Sequence, residues 1–197
     1  MGFESVLSMA QRLVAERLRP GGIAIDATAG SGVDTLFLAQ TAGPGGAVYA
    51  FDVQESALAR TKARLEAAAA ESRAQLATVK LLLAGHERMA EYVPKDAHGR
   101  ISAIMFNLGY LPGGDQSVIT KPETTLAALA AGLAMLSPGG VLTAVAYPGH
   151  PGGEAEGDAV TRWVAEVPPN AAQAMLYRFI QKPHAPYLVA LEKNIGG

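Results

Sequence analysis

The chain has 197 residues, 49% of them hydrophobic, with no cysteine and a formal net charge of −2. This length suffices for one full hydrophobic core, and we expect a single domain over residues 1–197. The lack of cysteine excludes disulfides, thiolate catalysis and cysteine-ligated zinc. The nearly neutral net charge does not indicate a nucleic-acid partner, although a protein with this net charge can still have a local basic face. Because no apolar stretch reaches the roughly 18 residues of a membrane span, we expect a soluble protein without a membrane partner. The absence of cysteine fits a reducing cytosol, so we expect a cytoplasmic location.

Hydrophobic periodicity predicts that helices and strands alternate along the chain. In chain order it predicts a helix over 3–18, the strand IAIDATAG, a helix over 33–40, the strand AVYAFDV, a helix over 54–73, the strand TVKLLLAG, a helix over 87–92, the strand ISAIMFN, a helix over 124–136, the strand VLTAVAY, a helix over 155–167 and the strands AMLYRFI and YLVALEK. Such alternation is typical of a mostly parallel α/β sheet covered on both faces. Because only KPHAP joins the last two strands, we expect an antiparallel hairpin at one edge.

A glycine-containing loop, residues 26–32, follows the first predicted strand. In open α/β sheets ligands bind beyond the carboxyl ends of the strands. Gly30 and Gly32 permit a tight turn and a close approach of the backbone to a ligand. The helix that begins near Val33 favours an anionic group at its N-terminus. Thr35 occupies the place of the third glycine of the dinucleotide fingerprint, which counts against NAD or FAD and fits a ligand without a pyrophosphate.

Three polar residues lie near the predicted strand ends, and each has two interpretations. Asp52, twenty residues past Gly32, is placed to accept hydrogen bonds from ribose hydroxyls or to cap the following helix. His86 follows the third strand and would either flank an adenine ring or cap a short helix. Asp34 lies in the first turn after the loop, where it would face a ligand or only complement the helix dipole.

The fourth predicted strand ends in FNLGYLPGGD, which places an amide and an aromatic ring beside a flexible loop. The oxygen of Asn107 and a backbone carbonyl could accept the N–H bonds of an amine and direct its lone pair at a methyl donor. Tyr110 could stack on the base that carries the amine. The alternative is that Asn107 satisfies loose backbone groups at a strand end and Tyr110 only packs.

Several stretches together resemble the YtqB-like family of class I S-adenosylmethionine-dependent methyltransferases: DATAGSGVDTLFLA, FDVQESAL, FNLGYLPGGD, TKPETT, YPGHPGGEAE and LYRFI. The resemblance runs over about residues 3–193. It implies a Rossmann-like fold with a seven-stranded, mostly parallel sheet, a C-terminal antiparallel hairpin and helices on both faces. Two positions depart from the family pattern: Ser31 stands where Asn is usual, and Pro148 where a polar or aromatic residue is common.

Members of this family act as the tRNA methyltransferase MnmM, which methylates the amine of 5-aminomethyl-2-thiouridine at the wobble position. The resemblance therefore implies S-adenosylmethionine as cofactor, S-adenosylhomocysteine as product and the tRNA anticodon region as partner. The implied cofactor-binding residues are Asp26, Thr28, Gly30, Ser31, Gly32, Asp34, Thr35, Asp52, Gln54, His86 and Asn107. The implied substrate-binding residues are Leu108, Gly109, Tyr110, Lys121, Tyr147 and Arg178, and the candidate catalytic residues are Asn107, Tyr110, Asp115 and His150.

The implied reaction needs a proton acceptor, because an alkylamine is protonated near neutral pH and then lacks a free lone pair. Asp115 and His150 are the candidates in the loops that flank the site. Each has a structural alternative: Asp115 as the cap of a turn, and His150 as a support of its loop.

Contact with RNA would come from local basic groups, which otherwise form an ordinary solvated surface. The candidates are Lys121, Arg178, Lys182 and His184. No metal is implied, because the four histidines lack ligand spacing. The alternatives to a tRNA methyltransferase are an rRNA or small-amine methyltransferase and a non-catalytic nucleotide-binding module; whether the chain forms a homodimer stays open.

Overall fold

A computed structural model describes residues 2–71, 75–109 and 119–196. The helices in these residues are α1 (Val6–Ala15), α2 (Val33–Ala42), α3 (Glu55–Glu71), α4 (Met89–Tyr92), α5 (Pro122–Met135) and α6 (Gly153–Glu166). The strands are β1 (Ile23–Asp26), β2 (Ala47–Asp52), β3 (Thr78–Leu83), β4 (Ile101–Leu108), β5 (Leu136–Ala146), β6 (Ala172–Tyr177) and β7 (Tyr187–Lys193). The predicted class of fold is confirmed.

The strands form one seven-stranded sheet in the order β3-β2-β1-β4-β5-β7-β6. The neighbours from β3 to β5 are parallel, whereas β7 is antiparallel to both β5 and β6. The expected C-terminal hairpin therefore lies at one edge, with β7 inserted beside β5. The order reverses between β1 and β4, and in a sheet of this kind that reversal opens a crevice at the carboxyl ends of the two strands.

Both faces of the sheet are covered by helices. One apolar cluster packs α4, α5 and α6 against one face and includes Phe106 and Leu129. The other packs α1 and α2 against the opposite face and includes Val14, Leu38 and Met105. Met105 and Phe106 are neighbours in β4, so their side chains point to opposite faces and both are buried. Burial on two faces explains why β4 reads as a continuous apolar run.

Several element boundaries differ from the sequence predictions, and three of the differences have a clear structural basis. The first helix begins at Val6, because the Ser5 side chain caps it by accepting a hydrogen bond from the Ser8 backbone at 3.1 Å. The predicted helix over 87–92 is divided into a short 3₁₀ turn (His86–Arg88) and α4. Strand β5 begins at Leu136, directly after α5, and reaches its regular pairing with β4 through a register shift.

Gly157 of α6 packs directly against Tyr187 of β7, and a Cβ atom added to it would lie 2.3 Å from the tyrosine hydroxyl. Tyr187 is buried, so its ring has little room to move. We expect Gly157→Ala to lower the free energy of unfolding by about 1–3 kcal/mol, because this overlap outweighs the better helix propensity of alanine. Urea unfolding measures the effect.

The matched control is the same substitution in a Tyr187→Phe background, which lacks the overlapping hydroxyl. There Gly157→Ala should cost clearly less. An equal loss of stability in both backgrounds would show that the hydroxyl is not what excludes a side chain at this position.

Candidate active site

A cleft of ≈ 830 Å³ lies at the carboxyl ends of β1 and β4, where the strand order reverses. Most of the residues predicted from the sequence line it, namely Thr28, Gly30, Ser31, Asp34, Asp52, Gln54, His86, Asn107, Leu108, Gly109, Lys121, Tyr147 and His150. A cleft of this size is typical of a small-molecule or cofactor site. The fold therefore gathers residues from four strand ends and two later loops around one space.

The glycine loop is held tightly against α3. Gly30 and Gly32 have positive φ angles of 54° and 79°. A Cβ atom at Gly32 would lie 2.7 Å from the Thr61 backbone, so only glycine fits there. From α3, Arg64 also donates a hydrogen bond through Nε to the Ser31 carbonyl at 2.7 Å. The loop is thus fixed from its outer side, and its inner side faces the cleft.

Asp52 at the end of β2 is held by two backbone groups. Its Oδ2 accepts from the Gly30 N–H and its Oδ1 from the Gln54 N–H, both at 2.9 Å. Each carboxylate oxygen has a second lone pair, so two hydroxyl groups in the cleft could still donate to Asp52. The carboxylate therefore ties the glycine loop to β2 and stays suited to a ribose.

Asp26 and Thr35 lie beneath the cleft, and both are 0% exposed. Asp26 accepts hydrogen bonds from the Thr35 hydroxyl at 2.6 Å and the Thr28 N–H at 3.1 Å. Burial, and then the charge of Asp34, raise the pKa of Asp26 to about 7. Direct contact of these two residues with a cofactor stays a prediction, and their burial favours a supporting role beneath the loop.

Asn107 at the end of β4 is hydrogen-bonded to the glycine loop through its backbone and to the first turn of α2 through its side chain. Its backbone N–H donates to the Thr28 hydroxyl at 2.7 Å. Its Nδ2 donates to Oδ2 of Asp34 at 2.7 Å, and its Oδ1 lies 3.4 Å from the Tyr147 hydroxyl. The other oxygen of Asp34 accepts from Gln11 of α1 at 2.9 Å. Asp34 thus makes specific hydrogen bonds in addition to any effect of the helix dipole.

His86 borders the cleft from the end of β3. It is 7% exposed, and its ring meets the edge of Phe106 at a centroid distance of 5.6 Å. Burial lowers the pKa of His86, which favours a neutral imidazole. An aromatic, uncharged side chain in this position can pack beside a flat ring.

Gly109 and Thr120, the described residues on either side of positions 110–118, are joined by a hydrogen bond. The Thr120 N–H donates to the Gly109 carbonyl at 2.9 Å. His150 adjoins this point, because a Cβ atom on Gly109 would lie 3.1 Å from its Nε2. Two predicted catalytic residues, Tyr110 and Asp115, lie outside the described residues. Of the two candidate proton acceptors, His150 is therefore the one that lies among the described residues, and it adjoins the end of β4.

Glu156 is a buried acid that the sequence reasoning missed. It is 2% exposed and accepts hydrogen bonds from Thr120 at 2.6 Å and from Thr125 at 2.7 Å. These bonds tie Thr120 and the start of α5 to α6. A signal was available, because Glu156 precedes the buried Val160 and Val164 at a spacing of four and therefore shares their face of the helix.

Of the four predicted RNA-contacting residues, Lys121 and His184 line the cleft, whereas Arg178 and Lys182 are absent from its described lining. Arg178 folds back on its own hairpin, where it donates to the Pro183 carbonyl at 2.7 Å and lies over the Tyr187 ring at 5.2 Å. Arg178 is absent from the described lining of the cleft, so its predicted contact with substrate has no support from this arrangement.

No helix in the described part of the chain is long and apolar enough to cross a membrane. No group of three or more histidine or acidic side chains there is arranged to hold a metal ion.

Comparison with protein families identifies the group to which this chain belongs. A family described as "Putative rRNA methylase" matches residues 48–192. The chain is a member of that family. The tRNA (mnm(5)s(2)U34)-methyltransferase of Arabidopsis thaliana chloroplasts is 38% identical over 182 residues, which is 90% of this chain. This chain spans 65% of the length of that relative.

Solved structures support the same family and fold. A Clostridium thermocellum protein with the same rRNA-methylase description is 34% identical and has a TM-score of 0.89, covering 98% of this chain and 100% of its own. A Streptococcus mutans methyltransferase in complex with SAH is 37% identical, with a TM-score of 0.83 and coverage of 98% and 99%. The resemblance inferred from the sequence motifs is confirmed.

The raised pKa of Asp26 predicts a pH-dependent stability. The pKa of about 7 in the folded protein exceeds the ordinary value of 3.8, so the folded chain holds this proton more tightly. The resulting stabilisation is complete below about pH 4 and is lost as the pH rises through about 7. We expect the unfolding free energy of the wild type, relative to Asp26→Asn, to fall across this range.

Urea unfolding of both proteins at several pH values between 4 and 8 tests this expectation. The difference between the two proteins isolates Asp26, since all other titrating groups are shared. Parallel pH profiles would contradict the raised pKa.

Proposed function

We propose that this protein transfers a methyl group from S-adenosylmethionine to the amine of 5-aminomethyl-2-thiouridine at the tRNA wobble position. The product would be 5-methylaminomethyl-2-thiouridine. The observation that carries the proposal is the position of Asn107, which lines the cleft and donates through its backbone N–H to Thr28 of the glycine loop. The printed name of the Arabidopsis relative, a tRNA (mnm(5)s(2)U34)-methyltransferase, supports the choice of substrate.

The cleft residues fit the proposed cofactor. Asp52 retains lone pairs for the two ribose hydroxyls, while the inner side of the glycine loop leaves room for the methionine part. His86 and the half-exposed Val53 offer an aromatic and an apolar surface on which adenine can pack. S-adenosylmethionine supplies a methyl group on a sulfonium, which is a good leaving group. The SAH in the Streptococcus mutans relative supports this assignment.

Asn107 would orient the amine of the substrate. Its Oδ1 can accept an N–H bond of the amine and so direct the nitrogen lone pair toward the methyl donor. Because a protonated amine has no lone pair, the site must also favour its neutral form, and partial burial in the cleft lowers the pKa of an amine. His150 lines the same cleft and is the candidate acceptor for the proton.

Two basic residues of the cleft suit a polyanionic partner. Lys121 and His184 line the cleft, and Lys121 stands directly before the N-terminus of α5. Leu108, Gly109 and Tyr147 line the wall beside Asn107, where the wobble base would lie. We therefore assign the tRNA anticodon region to this side of the protein, with Lys121 as a phosphate contact.

An amine of rRNA is the second candidate substrate, and the description of the family favours it. The fold, the cofactor and the role of Asn107 would be unchanged. Only the nucleic acid that presents the amine would differ.

One assay separates these substrates. The protein is incubated with labelled S-adenosylmethionine and, in parallel, with tRNA that bears 5-aminomethyl-2-thiouridine, with unmodified tRNA and with rRNA, and each product is digested to nucleosides. We expect label only on the aminomethyl nucleoside. Label in rRNA alone would establish the second candidate, and label in none of the three would refute both.

The proposed roles of Asn107 and Asp52 predict different defects when each side chain is removed. Asn107→Ala should lower kcat by about tenfold or more and leave cofactor affinity nearly unchanged, because its side chain acts on the amine. Asp52→Ala should instead weaken cofactor binding, because it removes the ribose contact. Calorimetric titration with S-adenosylhomocysteine and steady-state kinetics measure the two effects.

Asp96→Ala provides a matched control, because Asp96 is an exposed acid outside the described lining of the cleft. It should change neither quantity. If Asn107→Ala and Asp52→Ala lose cofactor affinity equally, the proposed division of roles is wrong.

A further inference from the structure

We propose that Asp34 is a positioning residue that fixes the orientation of the Asn107 amide, so that its oxygen is presented to the substrate amine. The inference rests on the proposed function, because it concerns how that amine is held. It starts from the hydrogen bond of 2.7 Å between Asn107 Nδ2 and Asp34 Oδ2.

The two ends of an asparagine amide have almost the same shape but opposite hydrogen-bonding character. An ionised carboxylate only accepts hydrogen bonds. The end of Asn107 that faces Asp34 must therefore be the NH₂ group, and the oxygen must lie at the other end. This conclusion follows from the chemistry of the partner and does not depend on how the amide atoms are assigned.

The orientation decides whether Asn107 can serve the reaction. With its oxygen toward the cleft, the amide accepts an N–H bond from the amine. In the reversed orientation the amide would present its own N–H groups, which cannot accept from the amine and would compete for its lone pair. Tyr147 adds a weaker constraint, because its hydroxyl lies 3.4 Å from Asn107 Oδ1 and can donate to it.

Asp34 is itself held in place. Its Oδ1 accepts from Gln11 Nε2 at 2.9 Å, and it lies in the first turn of α2, where a carboxylate is favoured. It is 8% exposed, so water competes little for these bonds. Because Gln11 belongs to α1, the first helix of the chain takes part in the orientation of a group at the end of β4.

The neighbouring Asp26 is already engaged elsewhere, because it accepts hydrogen bonds from the Thr35 hydroxyl and the Thr28 N–H. The pKa of Asp26 is raised to about 7, first by burial and then by the charge of Asp34. Asp52, the third acid that faces this region, is bound by two backbone N–H groups. Asp34 is thus the carboxylate that remains for Asn107.

An exchange of the two side chains tests the proposal. Asp34→Asn should lower kcat by about tenfold, because an amide at position 34 no longer enforces one orientation at position 107. Asn107→Asp should lower kcat further, because two carboxylates would then meet. The double variant restores one donor and one acceptor across the bond and leaves a carboxylate oxygen toward the cleft. Its kcat should exceed that of Asn107→Asp by about tenfold.

Calorimetric titration with S-adenosylhomocysteine separates positioning from direct cofactor binding. If Asp34 acts through Asn107, the affinity of Asp34→Asn should stay within about threefold of the wild type. A large loss of that affinity, with kcat restored in no variant, would place Asp34 on the cofactor and overturn the proposal.

The same four proteins are compared by urea unfolding, which does not depend on activity. The double variant should be more stable than the sum of the two single effects predicts. An additive result would refute the bond, and non-additive stability without recovery of kcat would refute its role in the reaction. If the wild type methylates no RNA, the proposed function fails, whereas the unfolding cycle still decides whether Asp34 orients the amide.

Discussion

The site depends on the hydrogen bonds that join the end of β4 to the loop after β1. The Asn107 N–H reaches the Thr28 hydroxyl, and the Asn107 side chain reaches Asp34, both at 2.7 Å. Parallel pairing of β1 with β4 brings these groups together, although they are 79 and 73 residues apart in the chain. These bonds fix the end of β4 against the glycine loop, so that both border one cleft.

The residues around these hydrogen bonds are of two kinds. Some support the cleft from beneath, and others keep a polar group available to a ligand in the cleft. Asp26 and Glu156 are almost fully buried and accept hydrogen bonds from hydroxyl or backbone donors, and the buried Thr35 is one of these donors. Asp52 and Asn107 are fixed by similar bonds but retain free acceptor capacity toward the cleft. Such buried, well-bonded acids raise the rigidity of a site, which reduces the cost of orienting a bound amine.

Local patterns predict local structure well here and long-range pairing poorly. Periodicity indicated the helices and strands, and glycine spacing, Asp52 and Asn107 indicated the cleft. The bonds from Gln11 to Asp34 and from Thr120 to Glu156 join residues 23 and 36 positions apart, so no local spacing reveals them. The early start of β5 was missed for a related reason, because its first residue gains a strand partner only through the irregular pairing with β4.

A crystal structure with S-adenosylhomocysteine and the nucleoside 5-aminomethyl-2-thiouridine tests the central claim most directly, namely that the two halves of the cleft form one methyl-transfer site. The account predicts that the ribose of S-adenosylhomocysteine contacts Asp52 and that the amine nitrogen lies about 3 Å from Asn107 Oδ1, facing the sulfur. A nucleoside bound away from Asn107, or a cofactor ribose bound away from Asp52, would contradict it.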